Sequence, residues 1–329
     1  MFTLVMQAHY PFLYLPALGK PMIVRQTPHP FKIFFALRGS IIPKIYPQLL
    51  LVTILSTLIT IIQHWLPDSF PYYGIATFTL LGIALSLFLG FRNNASYQRW
   101  WEARGLWGQL VYDSRSLTRQ VLSFIDEKDE AGQQTQRNII YLTIAFAHAV
   151  RHRLRGTEPW QDIERFVDPI HHDRMRQAKN VPDYIMRLMG KQLGDIWRQG
   201  LVSEQVIQNM DERLTSMTIV LAACERILNT PLPFAYMLLV HRTTYLYCIM
   251  LPFGLVASLG WATPLICAVI AYTFFGLDAL SEELEEPFGL AVNQLPLTAL
   301  SRTIEINLRE ALGETSIPPD ITPIDGYLP

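Results

Sequence analysis

Two apolar stretches decide the fold of this chain: residues 45–66 read IYPQLLLVTILSTLITIIQHWL, and residues 69–91 read SFPYYGIATFTLLGIALSLFLGF. Neither stretch contains Asp, Glu, Lys or Arg. An α-helix needs about 20 apolar residues to cross the hydrocarbon core of a bilayer. Buried helices of a soluble protein would be the alternative, but two uncharged runs of this length in one chain favour membrane-spanning helices.

A third uncharged stretch covers residues 243–277 and is too long for a single crossing. The sequence SLGWATP at residues 258–264 interrupts it and is typical of a turn. We therefore expect two further spans. The chain is predicted to be an all-α integral membrane protein with four transmembrane helices in two hairpins and a cytoplasmic helical layer.

The basic residues beside these spans all fall on one side of the predicted membrane, whereas the loop at residues 63–77 contains no Lys or Arg. Cytoplasmic flanks of membrane helices carry an excess of Lys and Arg. Both termini and the long middle region are therefore predicted to be cytoplasmic. The basic flanking residues are Lys32, Arg38, Lys44, Arg92, Arg99, Arg104, Arg226 and Arg242, and the aromatic residues expected at the opposite interface are Trp65, Tyr72, Tyr73 and Trp261.

The composition agrees with a membrane protein and argues against other classes. Only 17% of the residues are charged, compared with about 25% in average soluble domains. The net charge of −1 gives no reason to expect nucleic acid as a partner. Cys224, Cys248 and Cys267 lack the spacing of a metal site, and no catalytic constellation is recognisable, so we expect neither an enzyme nor a bound cofactor or metal.

The chain divides into five segments by polarity. Residues 1–21 form an apolar, proline-containing extension without the basic start of a signal peptide, and the sequence leaves open whether translation starts at Met1 or at Met22. The other segments are the first hairpin with its N-terminal segment (22–91), a cytoplasmic helical region (92–230), the second hairpin (231–278) and a cytoplasmic C-terminal segment (279–329). Helices are expected in the middle region at residues 97–125, 138–154, 160–166, 182–199 and 203–228.

The second span carries two stripes at helical spacing. Small residues recur at i, i+4 and i+8, which lets transmembrane helices approach closely. They are Gly82, Ser86 and Gly90. One residue further on, Ile83, Leu87 and Phe91 form a bulky apolar stripe that could project into a pore as stacked rings, where hydrophobic constrictions gate ion flow. The same stripe could instead face lipid or the protein core, because any apolar helix contains such a face.

The residues that follow the second span carry a family resemblance. Ordered motifs are found at FRNNASYQRWWEAR (91–104), GLWG (105–108), CER (224–226), TPLPFAY (230–236), EELEEPFG (282–289) and NQLPL (293–297). Together they resemble the bacterial branch of the bestrophin family over about residues 22–312. The resemblance implies a homopentameric ion channel with one axial pore in the bacterial inner membrane, whose neck residues match Ile83, Leu87 and Phe91.

The resemblance also implies a second, lower constriction formed by an apolar ring, which falls near Gln205 or Val206. A polar Gln205 departs from that pattern. The acidic run at residues 282–286 occupies the place of the calcium clasp of animal members but lacks their consecutive aspartates, so we expect no calcium gating. Bacterial members need not share the anion preference of the animal channels, which leaves chloride and monovalent cations both open.

Several charged residues have two interpretations. Arg92 could attract anions near the pore axis or anchor the helix at lipid headgroups. The resemblance also implies a wide vestibule formed by the cytoplasmic helices. Carboxylates of the acidic run would favour cations if they reach the wall of this vestibule, and otherwise serve a subunit interface; they are Glu282, Glu283, Glu285 and Glu286. His148 and His152 have zinc-compatible i, i+4 spacing, but their basic neighbours favour a surface pair.

We therefore expect a channel that conducts small inorganic ions passively through the bilayer. The alternative function is a membrane-anchored scaffold or sensor that binds a partner through its cytoplasmic helices.

Overall fold

The computed structural model describes residues 22–23, 39–66, 75–126, 130–323 and 327–328. In this part of the chain the structure is mostly helical. Its two strands, β1 (Met22–Ile23) and β2 (Tyr327–Leu328), are two residues long each and pair antiparallel with one another. The predicted extension at residues 1–21 lies outside the described residues. The flanking residues Lys32, Arg38, Tyr72 and Tyr73 lie outside them as well.

The helices of the described residues follow one another with short connections. They are α1 (Ile42–Trp65), α2 (Ile75–Phe124), α3 (Glu130–Arg155), α4 (Trp160–Ile163), α5 (His172–Gln177), α6 (Val181–Arg198), α7 (Glu204–Asn229), α8 (Phe234–Leu259), α9 (Thr263–Glu285) and α10 (Leu297–Ala311). Short 3-10 turns occupy Glu164–Phe166, Pro169–His171 and Gly260–Ala262.

Three stretches of the described residues are long and apolar enough to cross a bilayer: Ile42–Trp65, Ile75–Phe124 and Phe234–Glu285. The third stretch comprises α8 and α9 with the 3-10 turn between them. Gly260 ends α8 with a φ of +50°, a conformation that residues with a Cβ rarely adopt. The interruption predicted at residues 258–264 is therefore confirmed.

Helix α2 differs from the prediction because it does not end where the apolar stretch ends. It runs without a break from Ile75 to Phe124, so the helix expected at residues 97–125 is its continuation. The domain boundary expected at residue 92 lies inside this helix. No Pro or Gly separates Phe91 from Arg104, and a change from apolar to polar side chains does not by itself end a helix.

The apolar helices pack around one core. Gly254 lies against the ring of Phe78, where an added Cβ would fall 2.2 Å from Cδ2, and this absence of a side chain allows α8 to approach α2. The buried apolar residues of this core are Ile45, Val52, Leu85, Leu89, Val240, Tyr247, Cys248, Leu251, Leu255, Cys267, Ala271, Phe274 and Phe275.

A second core lies in the polar half of the chain, where the remainder of α2 packs with α3, α6, α7 and α10. Trp107 and Phe146 are among its largest fully buried side chains. The helices predicted at 160–166, 182–199 and 203–228 are present within a residue or two of those bounds, although Ser203 stands at the N-cap of α7 without a side-chain capping bond. Helix α3 begins earlier than expected, and α10 was not predicted.

Candidate functional site

The predicted neck residues lie on an uncovered face of α2. Ile83, Leu87 and Phe91 are 63%, 56% and 58% exposed. On the opposite face, Leu85 and Leu89 are buried against the other apolar helices. The core of this chain is therefore excluded as their environment, and lipid, a second copy of the chain or a water-filled path remains.

The predicted small-residue stripe is divided between two environments. Gly82 packs inside the protomer, because an added Cβ would lie 2.6 Å from the hydroxyl of Tyr247. Ser86 and Gly90 are exposed, and no atom lies within 4 Å of the position of a Cβ on Gly90. The stripe thus contributes one close approach within the chain and leaves two small residues beside the apolar face.

Arg92 takes neither of its two expected positions. Its side chain is buried, with the whole residue 2% exposed, and its guanidinium donates to the carboxylate of Asp278 on α9. The other carboxylate oxygen of Asp278 lies 2.7 Å from Nδ1 of His241 on α8. Arg92 therefore neither projects towards lipid headgroups nor offers an exposed positive charge to ions in the protomer.

The segment after Arg92 is held to the ends of α7 and α9 by hydrogen bonds to backbone carbonyls. Arg99 donates to Glu285 O at 3.2 Å and to Thr230 O at 2.6 Å. On the outer side of the helix, Tyr97 and Trp101 stack with ring centroids 6.3 Å apart and are both exposed. The motif that carries the family resemblance thus joins α2 to the ends of α7 and α9.

The acidic run at residues 282–286 alternates between buried and exposed side chains. Glu283 is buried and lies 2.9 Å from the ammonium of Lys44, and Glu285 is buried and accepts a hydrogen bond from Leu232 N at 3.1 Å. Glu282 and Glu286 are exposed. Among the described residues, no three His, Cys, Asp or Glu side chains are grouped so that they could hold a metal ion.

The residues predicted near a lower constriction lie at the start of α7. Gln205 is exposed, and Val206 is partly buried against the polar-half core. Leu201, in the turn between α6 and α7, is an exposed apolar residue at 40% exposure and follows Gly200, whose φ is +71°. Leu201 was not singled out from the sequence, because the polar residues around it give no periodic apolar signal.

The surface position predicted for His148 is wrong. Its ring is fully buried, and Nε2 lies 3.0 Å from Oε2 of Glu305 on α10. Burial lowers the pKa of His148, so the ring is uncharged at neutral pH. His152 lies close to Asp162 and Thr157 instead, so the two histidines serve separate hydrogen-bond networks.

Two residues near the predicted neck were not singled out from the sequence. Asp278 immediately follows the third uncharged stretch, and His241 precedes it. An ionisable residue that is drawn into a membrane span is costly unless it is paired, and their positions directly beside an uncharged stretch are the signal that could have identified them.

Comparisons with known proteins agree with the motifs. The family model of bacterial and fungal bestrophin proteins matches residues 22–310. A voltage-dependent anion channel-forming protein of Mesorhizobium japonicum is 45% identical over 314 residues, which cover 95% of this chain and 99% of that protein. The corresponding protein of Escherichia coli K12 is 41% identical over 93% of this chain and 99% of its own length.

Solved structures give the same assignment. The crystal structure of a bacterial bestrophin homolog from Klebsiella pneumoniae has a TM-score of 0.78 and 38% sequence identity, and the match covers 82% of this chain and 99% of that chain. With a family model that matches most of the chain, relatives above 40% identity and this shared fold, the chain belongs to the bacterial and fungal bestrophin family.

Proposed function

We propose that this bestrophin forms a homopentameric channel that conducts small inorganic ions passively through a neck made of Ile83, Leu87 and Phe91. The observation that carries the proposal is the uncovered apolar face of α2. In the apolar part of this helix, only Gly82, Leu85 and Leu89 are buried in the protomer. A helix that is apolar almost all round requires lipid or further protein around it.

A symmetric assembly would use both exposed stripes of α2. Ser86 and Gly90 would allow a neighbouring subunit to approach closely, while the bulky stripe would face the axis. Two helical turns separate Ile83 from Phe91, so the neck would be about 12 Å long. Rings of apolar side chains over this length restrict the passage of water and ions. Below Phe91, the exposed amides of Asn94 and Gln98 would line the way out of the neck.

The proposed membrane topology has four spans in two hairpins, formed by α1, α2, α8 and α9. The 3-10 turn between α8 and α9 supports the second hairpin. The distribution of Lys and Arg supports cytoplasmic termini and a cytoplasmic position for the polar-half core, in a bacterial inner membrane.

For the lower constriction we propose Leu201 in place of Gln205 and Val206. A ring of exposed leucines in a turn meets the requirement for an apolar constriction, whereas Gln205 is polar and Val206 is partly committed to the core. The exposed Glu282 and Glu286 are assigned to the surface or to a subunit contact, since Glu283 and Glu285 already have partners within the chain.

Anions such as chloride are the first choice of ion, because the curated relatives are named anion channel-forming proteins. The test is a flux measurement on purified protein in liposomes, followed by reversal potentials under a KCl gradient. Ion flux without an added partner is the expected result. Intact assemblies that conduct no ions would contradict the channel and favour the scaffold, and a reversal potential near that of K⁺ would contradict the anion preference.

A further inference from the structure

A chain of polar side chains connects the apolar helices directly beside the proposed neck. Arg92 on α2 donates to one oxygen of Asp278 on α9, and His241 on α8 bonds the other oxygen at 2.7 Å. The ring of His241 packs on Tyr245 with centroids 4.6 Å apart, and the hydroxyl of Tyr245 accepts from Gln48 on α1 at 3.0 Å. The carboxylate of Asp278 is thus the central acceptor of a network that reaches α1, α2, α8 and α9.

The burial of this ion pair is costly for a purely structural contact. The side chains of Arg92 and Asp278 are 3% and 9% exposed. Replacing a buried ion pair with apolar side chains of similar volume is often neutral or stabilising, whereas leaving one charge unpaired is strongly unfavourable. Nε of Arg92 is buried without a hydrogen-bond partner among the described residues, so the pair is not fully satisfied. Helix packing alone would be served as well by apolar residues, and a further role for the pair is indicated.

The position of Arg92 in the sequence indicates that role. Arg92 directly follows Phe91, and consecutive residues of an α-helix point about 100° apart. A guanidinium that is fixed in the protein interior therefore fixes the direction in which the Phe91 ring leaves the helix. We propose that Asp278 is a positioning residue for the channel, and that by holding Arg92 it keeps Phe91 directed into the ion path. This inference rests on the proposed function of Phe91 as a neck residue.

The test is a double-mutant cycle between Asp278 and Phe91, measured as unitary conductance in planar bilayers. Four full-length proteins are compared: wild type, Asp278→Asn, Phe91→Ala and the double variant. The amide of Asn is close in shape to the carboxylate but carries no charge, so it removes the ion pair and weakens the hold on Arg92 with little change in volume. We expect Asp278→Asn to change the unitary conductance by about twofold or more in the wild-type background and to have no further effect once Phe91 is Ala, because contacting or coupled residues are non-additive.

Unitary conductance separates positioning from folding, since a loss of folded protein reduces the number of channels and not the current through each. Ser281→Ala is the matched control. It removes a buried hydrogen bond of 3.0 Å between Ser281 and Ser96, which joins the same two helices about one turn away, and it should leave the unitary conductance unchanged. If Asp278→Asn does not assemble, Asp278→Glu keeps the charge, lengthens the side chain by one methylene and should still change the conductance by displacing Arg92.

The inference is overturned if an assembled Asp278 variant has the unitary conductance of the wild type, or if Asp278→Asn changes the conductance equally in the Phe91→Ala background. It is also overturned if neither Asp278 variant assembles, because the ion pair is then a structural contact. A different result would reject the neck itself. If Phe91→Ala conducts like the wild type while Asp278→Asn does not, the proposed role of Phe91 fails and Asp278 acts on the ion path elsewhere.

Discussion

Truncation of the proposed neck gives the most direct test of the channel. The variant carries Ile83→Ala, Leu87→Ala and Phe91→Ala together. Each of these residues is more than half exposed in the single chain, so the three substitutions remove little apolar surface that is buried by folding. Leu89 on the opposite face is fully buried, and Leu89→Ala should cost about 2–5 kcal/mol. The triple variant should therefore assemble and unfold like the wild type, while Leu89→Ala loses thermal stability.

The conductance of the triple variant, unlike its stability, should differ from that of the wild type. The three rings define about 12 Å of apolar path, and each 1.36 kcal/mol removed from the barrier to ion passage corresponds to about a tenfold higher rate. We expect the unitary conductance of the triple variant in symmetric KCl to rise by about threefold to tenfold, since a wider and less apolar neck hydrates more easily. Assembled triple-alanine particles with the unitary conductance of the wild type would remove these residues from the ion path and assign their exposed face to lipid.

Three predictions concern positions away from the proposed neck. Gly254→Ala should destabilise the detergent-solubilised protein by about 1–3 kcal/mol, because the new Cβ would meet the ring of Phe78. At Gly190 no atom lies within 4 Å of the position of a Cβ, so Gly190→Ala should raise stability by about 0.5–1 kcal/mol through helix propensity. Thermal unfolding of the two variants compares these effects. Burial lowers the pKa of His148 below its usual 6.5, so the unfolded chain binds the proton more readily, and stability should fall as the pH decreases below about 6.5. His148→Gln should flatten that part of the plot of stability against pH. An unchanged plot would contradict the role given to His148. Burial raises the pKa of Cys224 to about 12, so maleimide at neutral pH should label this thiol only after denaturation, and labelling of the native protein would refute its burial.

The membrane stretches were predictable because hydropathy is a property of consecutive residues. The turn at Gly260–Ala262 was predictable for the same reason, since Gly and Pro mark it locally. Hydropathy does not, however, report where a helix ends. The change to polar residues at Arg92 marks the end of the apolar stretch, whereas the hydrogen bonds of α2 continue to Phe124. Two helices were predicted because the end of the apolar stretch was taken as the end of the helix.

The environments of individual polar residues were less predictable, because their partners are distant in sequence. His148 was assigned to the surface from its i, i+4 spacing and basic neighbours, yet its partner Glu305 lies on α10, a helix whose short amphipathic sequence was not recognised. Arg92 was assigned to headgroups or ions because it is the first charge after an apolar stretch, and its partner Asp278 is 186 residues away. A single sequence can mark such a residue as one that needs a partner, but it does not tell which distant residue the partner is.

The burial of Arg92 limits how this channel could select anions. An exposed arginine at the end of the neck would supply five positive charges in a pentamer, but the guanidinium is enclosed and paired with a carboxylate. The first exposed polar groups on this face below Phe91 are the amides of Asn94 and Gln98. An amide presents both N–H donors and a C=O acceptor, so it can bind an anion or a cation and carries no net charge. An anion preference at the proposed neck would therefore depend on N–H groups turned towards the ion path, and it should be weaker and less sensitive to ionic strength than a preference set by a ring of fixed charges.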